Sequence, residues 1–182
     1  MRASLLLRSV AVAGVAAVAV GGGVVAPASA APVITPRVIN GDDGTAGDFG
    51  YLVSLLLAGR YQSGDAYDAQ FCGGTLTTPT TVVTAAHCVV DEQSGAVRAP
   101  ADILIGVGAN LKSTSLRVVR VAQVTPNPGY TRRTAENDVA VITLAEPVPK
   151  ASLLQVAMPE EAQALTTPGS VVRVAGWGRM ST

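Results

Sequence analysis

The 182-residue sequence is poor in charged and aromatic residues, in histidine and in cysteine. Its 13 basic residues balance 13 acidic ones, so it lacks the basic surplus with which proteins bind nucleic acid, and nucleic acid is not an expected partner. No long stretch has helical periodicity, which excludes a coiled coil or a helical bundle. One histidine and two cysteines are too few for the paired motifs of zinc fingers.

Glycine, proline and short apolar runs are what the sequence has instead. Its 19 Gly and 11 Pro fall largely between runs of Val, Ile, Leu and Thr, a pattern typical of strands joined by turns. This succession predicts an all-β fold, either an antiparallel barrel or a sandwich. The predicted strands are Tyr51–Leu57, Gly73–Thr77, Thr81–Thr84, Ile103–Val107, Leu116–Val124, Val139–Leu144 and Val171–Ala175.

Residues 1–30 have the pattern of a secretory signal peptide. Arg2 and Arg8 precede an uncharged run from Ser9 to Ala26, which is followed by Ala28-Ser29-Ala30. This ending of small residues predicts cleavage after Ala30. A membrane anchor is the alternative, because the run approaches the roughly 20 residues that span a bilayer. The favoured interpretation predicts a secreted, extracellular protein with no membrane attachment after signal removal, in an oxidising compartment where cysteines pair.

Three further segments interrupt the strand pattern. Ala31 to Arg37 holds two prolines, ends in a basic residue and is predicted to be a short propeptide, residues 31–37. Ala58 to Ala69 is predicted to be a solvated polar loop between two strands, and a substrate contact is the less favoured alternative. Glu146 to Gly169, rich in Pro, Ala and Glu, is predicted to link two lobes.

One segment concentrates the side chains capable of chemistry. It runs from Cys72-Gly73-Gly74 to Thr84-Ala85-Ala86-His87-Cys88 and holds the sole histidine. Fifteen residues separate the cysteines, and a disulfide between them would contribute about 3 kcal/mol by chain entropy. Taken alone, His87 is most simply a structural histidine. A metal site with Cys72 and Cys88 is a further option, but the spacing lacks the paired pattern of zinc ligands.

Four motifs together resemble the chymotrypsin/trypsin family of serine proteases. The first is Cys72-Gly73-Gly74 followed by Thr84-Ala85-Ala86-His87-Cys88, and the second is the run from Asn137-Asp138-Val139 to Leu144. The third is Val174-Ala175-Gly176-Trp177-Gly178. The fourth is Arg37 followed by Val38-Ile39-Asn40-Gly41. The motifs stand in the family's order with compatible spacing, and they cover nearly all of residues 37–182.

The resemblance implies two antiparallel β-barrels with the active site in the cleft between them. Residues 38–145 would form the first barrel, residues 146–169 the linker and residues 170–182 the start of the second barrel. His87 would be the general base of a Ser-His-Asp triad. Asp138 would be the buried carboxylate that orients it, although an Asp before a strand is by itself more often a turn residue.

The family's activation mechanism and partners follow from the same resemblance. Cleavage between Arg37 and Val38 would free an amino terminus that orders the oxyanion hole. The implied partners are a protein or peptide substrate, an activating protease and a proteinaceous inhibitor. No cofactor or metal is expected, and the loop Gly106 to Arg117, which corresponds to a calcium loop in some relatives, contains no carboxylate.

The resemblance stops before the nucleophile. No Gly-Asp-Ser-Gly-Gly-like segment is present, and the sequence ends at Thr182, shortly after the Gly-Trp-Gly motif. We therefore expect an incomplete chain of a secreted serine endopeptidase, inactive as written because it lacks the serine, the oxyanion donors and the specificity pocket. The alternative is a non-catalytic secreted binding module derived from one protease barrel.

Overall fold

The computed structural model describes residues 44–45 and 47–178. The predicted signal peptide, the propeptide and the cleavage site at Arg37 and Val38 lie outside these residues, as do residues 179–182.

Six antiparallel strands close into a barrel in the spatial order β1-β2-β3-β6-β5-β4. Closure gives every strand two hydrogen-bonded neighbours and leaves no sheet edge exposed. The prediction of an all-β antiparallel fold is confirmed, and the barrel is chosen over the sandwich. The strands are β1 Leu52–Leu57, β2 Gln70–Thr78, β3 Thr81–Thr84, β4 Ile103–Val107, β5 Arg117–Pro126 and β6 Ala140–Leu144.

Alternation of side chains along the strands builds the core. In β6, Ala140, Ile142 and Leu144 are buried, whereas Val141 and Thr143 face outward, as a pleated strand with one buried face requires. Apolar side chains from every strand meet inside the barrel. Those with no exposed surface include Val53, Leu55, Leu76, Val82, Ile103, Ile105, Val119 and Ile142.

The helices of the described residues are short, in agreement with the absence of helical periodicity. They are α1 Ala66–Ala69, α2 Ala86–Val89 and α3 Pro159–Leu165, with 3₁₀ turns at Tyr61–Ser63 and Pro100–Asp102. None of them is long and apolar enough to cross a membrane.

The loop Ala58 to Ala69 is more ordered than its polar residues suggested. Asp65 caps α1, because its carboxylate accepts hydrogen bonds from the backbone N–H groups of Tyr67 and Asp68 at 2.9 and 3.1 Å. Ala66 and Ala69 are buried in a small apolar cluster. The loop was predicted as solvated because a one-turn helix is too short to show a periodic pattern.

The predicted strand Val171–Ala175 is wrong, since this segment forms no strand in the described structure. Val171 and Val174 are 96% and 95% exposed, and no described strand lies beside them to supply a ladder of hydrogen bonds. Helix α3 lies within the predicted linker, residues 146–169. The division into a linker and the start of a second barrel stays a prediction.

The barrel core gives a direct stability prediction. Ile142→Ala should lower the free energy of unfolding by about 2 to 5 kcal/mol, because it removes buried methylene and methyl groups and leaves a cavity. Val141→Ala is the matched control. It truncates the neighbouring side chain on the outer face, which is 38% exposed, and should cost less than about 1 kcal/mol. Urea unfolding measures both, and equal losses would contradict the inward register of β6.

Candidate active site

The pairing of β3 with β6 brings two distant parts of the chain to one end of the barrel. Thr84, the last residue of β3, lies opposite Ala140, the first residue of β6. Because the strands are antiparallel, the residues that follow β3 and those that precede β6 meet at the same rim. His87 is three positions beyond Thr84, and Asp138 is two positions before Ala140.

Helix α2 holds His87 at this rim and is fastened to the barrel. Cys88, the next residue, forms a disulfide with Cys72 on β2, with their Cα atoms 6.1 Å apart. The predicted disulfide is therefore present. The Thr84 hydroxyl also donates a hydrogen bond to the carbonyl oxygen of Gly73 at 2.7 Å. These two links fix the start of the turn that carries His87.

A left-handed turn presents Asp138 from the other side. Asn137 has φ 56°, a conformation that Asn tolerates better than most residues because its short polar side chain bonds locally. Its amide Nδ2 donates to the carbonyl oxygen of Gly129 at 3.0 Å. This contact ties the turn to the loop that follows β5 and sets the direction of the next side chain.

Both oxygens of the Asp138 carboxylate accept hydrogen bonds from His87. The backbone N–H of His87 donates to Oδ1 at 2.8 Å, and ring nitrogen Nδ1 donates to Oδ2 at 2.7 Å. Two bonds to the main chain and the side chain of one residue fix both the position and the plane of the imidazole. With Nδ1 carrying the proton, the neutral ring has its lone pair on Nε2.

Hydrogen bonding to His87 lowers the pKa of Asp138. The imidazole hydrogen bond is the largest cause, and the backbone N–H of His87 and the charge interaction with the ring act in the same direction. Partial burial opposes the shift. The carboxylate is thereby held in its ionised form, which is the acceptor that a protonated Nδ1 needs.

The expectation of a buried carboxylate is wrong. The Asp138 side chain is 24% exposed, and that of His87 is 52% exposed. Asp138 lies in the turn before β6, at the rim of the barrel rather than in its core, and the adjacent Val139 is also 39% exposed. The carboxylate is oriented by its hydrogen bonds more than by surrounding apolar groups.

Two open cavities border the His87 side chain. His87 and Asp138 line a groove of about 1040 Å³ whose wall includes Tyr130, Arg132 and Arg133. His87 also lines a second cavity, of about 450 Å³, with Phe71 and the disulfide. Open space therefore adjoins the imidazole in both cavities.

No sequence pattern predicts one charged contact in the second cavity. The Arg98 guanidinium carbon lies 5.5 Å from the centre of the Phe71 ring, a cation–π contact between residues 27 positions apart. The Nε atom of Arg98 is buried and has no hydrogen-bond partner among the described residues. Phe71 stands directly before the Cys72-Gly73-Gly74 motif, but no local pattern links it to Arg98, so only the folded barrel could reveal the pair.

Comparison with known proteins agrees with the four motifs. The family model described as trypsin matches residues 38–182. The chain belongs to the trypsin family.

Individual relatives support the same assignment. A trypsin from Saccharopolyspora erythraea is 33% identical over 145 residues, 79% of this chain and 56% of the relative. Trypsin theta from Drosophila erecta is 33% identical over 142 residues, 78% of this chain and 48% of the relative. A vitellin-degrading protease from Bombyx mori is 28% identical over 158 residues, 87% of this chain and 54% of the relative. The chain spans about half the length of these trypsin-family relatives.

The contact between the two side chains makes the titration of Asp138 depend on His87. His87→Ala should raise the pKa of Asp138 toward its ordinary value of 3.8, because the imidazole hydrogen bond is the largest cause of the lowering. NMR titration of the side-chain carboxyl carbon measures this shift. Tyr130→Phe, in the same groove, should leave it unchanged. An Asp138 pKa that is equal in wild type and His87→Ala would contradict the contact.

The lowered pKa of Asp138 also determines how the stability of the protein depends on pH. The pKa of Asp138 is lower in the folded protein than in the unfolded chain. Its ionised carboxylate therefore stabilises the fold above the ordinary carboxyl pKa, and this stabilisation is lost as pH falls through the lowered pKa. The stability difference between wild type and Asp138→Asn should therefore shrink from about pH 5 to about pH 2. A difference independent of pH over this range would be the contrary result.

Proposed function

We propose that the protein is a secreted serine-type endopeptidase in which His87 is the general base and Asp138 orients it. The proposal rests on one observation, the paired hydrogen bonds from the His87 backbone and Nδ1 to the two Asp138 oxygens. A structural histidine needs a partner for its ring, but its side chain need not be half exposed beside an open groove, as that of His87 is. Family membership supports the same conclusion.

The chemistry follows from the tautomer. With Nδ1–H donating to the carboxylate, the Nε2 lone pair accepts the proton of a serine hydroxyl as the oxygen attacks a peptide carbonyl carbon. The imidazolium formed is stabilised by the adjacent negative charge of Asp138. It then protonates the departing amine, and water repeats the sequence to release the acid. The serine and the oxyanion donors belong to a Gly-Asp-Ser-Gly-like segment that this sequence does not contain.

The proposed substrate is a protein or peptide in extended conformation. The groove of about 1040 Å³ and the cavity of about 450 Å³ both border His87, and together they offer space for a chain that continues beyond the cleaved bond. A proteinaceous inhibitor would bind across the same surface. Export is proposed from the signal-peptide pattern of residues 1–30, and the disulfide suits an oxidising compartment.

The zymogen mechanism is proposed from the resemblance at Arg37 and Val38. An activating protease that cleaves after basic residues would release the ammonium group of Val38. In the family this group pairs with an acidic residue next to the nucleophilic serine. Both that acid and the serine lie in the part of the family pattern that residues 1–182 do not contain.

The role of His87 is tested by activity. In the gene product that includes any coding sequence beyond the Thr182 codon, His87→Ala should lower kcat/KM for a peptide amide by at least about 100-fold, since general base catalysis typically contributes 10²- to 10⁴-fold. Gln93→Ala, a substitution in the lining of the cavity of about 450 Å³ that His87 also borders, is the control. Near-normal turnover by His87→Ala would refute the assignment. A stop codon directly after Thr182, with a folded product, would favour the binding module instead.

The activation site has its own test. Arg37→Gln should block maturation, because a protease that cleaves after basic residues would no longer recognise the bond before Val38. N-terminal sequencing of the secreted protein and its amidase activity are the two readouts. A variant that still begins at Val38, or that is fully active with residues 31–37 attached, would count against the propeptide.

A further inference from the structure

Three potential metal ligands converge at the edge of the proposed active site. One ring nitrogen of His87 and the sulfur atoms of Cys72 and Cys88 all lie within 4.8 Å of one another. In the oxidised protein the sulfurs are bonded to each other, so they offer no thiolate to a metal. Reduction of this single bond would convert the two sulfur atoms into potential metal ligands.

The backbone around the disulfide is held by contacts that do not involve sulfur. Cys72 lies within β2, which pairs with both β1 and β3. Helix α2 is held by the Thr84 bond to Gly73 at 2.7 Å and by the bond from the His87 N–H to Asp138 at 2.8 Å. The Cα atoms of the two cysteines, 6.1 Å apart, should therefore stay close when the bond is reduced.

The distances suit a tetrahedral metal of the zinc class. Zn–S bonds of about 2.3 Å and Zn–N bonds of about 2.0 to 2.1 Å place the ligand atoms roughly 3.5 to 3.8 Å from each other. Atoms already within 4.8 Å reach this spacing by small side-chain rotations. Two thiolates and one imidazole form a soft ligand set that zinc and cadmium favour over calcium or magnesium.

The cluster is accessible, and the charged residues around it are acidic on balance. Cys72, Cys88 and His87 all line the open cavity of about 450 Å³, and Asp91, Glu92 and Arg98 line it too. The cavity admits both a small reductant and a hydrated ion. Two acidic residues outweigh the single guanidinium, so the net charge of the lining favours a cation, and an open fourth position remains for water.

We propose that reduction of the Cys72–Cys88 disulfide creates a Cys2His site for zinc or cadmium that includes His87. A phosphine reductant donates two electrons to the sulfur–sulfur bond. With a phosphine, water supplies two protons for the thiols and the oxygen of the resulting phosphine oxide. The divalent ion then displaces the two thiol protons and binds one imidazole nitrogen. Whichever ring nitrogen is bound, the imidazole no longer exchanges protons as a general base does.

The test reads metal binding and so does not depend on the proposed peptidase activity. The chain is reduced with a trialkylphosphine without oxygen, and Cd²⁺ is titrated by its thiolate charge-transfer absorption, with Zn²⁺ measured against a chromophoric chelator. We expect one ion per reduced chain, bound at least about tenfold more tightly than by the oxidised chain. Reduced His87→Ala should bind about 10- to 100-fold more weakly than the reduced wild type. Gln93→Ala, in the same cavity, should match the wild type.

Two controls separate the folded site from loose thiols. The Cys72→Ser/Cys88→Ser variant should bind like the oxidised protein, and the reduced chain in denaturing urea should bind at least about tenfold more weakly than in buffer, because the site is built by the barrel. Circular dichroism follows the fold throughout. Equal affinity of reduced wild type and reduced His87→Ala, or equal affinity with and without urea, would overturn the proposal. So would a reduced chain that unfolds and that metal does not refold.

Discussion

The catalytic role proposed for this chain depends on the two hydrogen bonds between His87 and Asp138, residues 51 positions apart. Neither segment by itself brings one of these residues to the other. The antiparallel register of β3 and β6, with Thr84 opposite Ala140, places both at one rim, and barrel closure holds that register. The contact between His87 and Asp138 thus depends on the pairing of the whole sheet, and a shift in the register of β3 and β6 would separate the two side chains.

The disulfide acts on the same rim as a covalent restraint. It joins the residue after His87 to β2, so the imidazole is held by the barrel on one side and by Asp138 on the other. The arrangement also places two sulfur atoms beside the proposed base. In the oxidised protein they do not bind a metal, whereas a metal ion held by the reduced pair would compete with a proton for the ring nitrogen. The orientation of His87 and the proposed binding of soft metals thus both depend on the position of the Cys72–Cys88 pair.

The sequence predicted those strands whose ends coincide with the ends of an apolar run. Strands β3 and β4 begin and end where their apolar runs do, since each is buried on the inner face of one barrel. Strand β2 begins at Gln70 rather than Gly73, because Gln70 pairs with Leu56 across a register shift that no pattern in β2 reveals. Val171–Ala175 has a strand-like composition but no described partner. The partial exposure of Asp138 and the Arg98–Phe71 contact depend on packing between distant segments, which the sequence does not display.

The single histidine allows an unambiguous measurement of the central contact. The ¹⁵N NMR spectrum of the imidazole reports which ring nitrogen carries the proton, with no second histidine to overlap it. At a pH where the ring is neutral, the account predicts a proton on Nδ1 and a bare Nε2 in the wild type, with this preference lost in Asp138→Asn. A neutral ring protonated mainly on Nε2, or a tautomer unchanged by Asp138→Asn, would contradict the account.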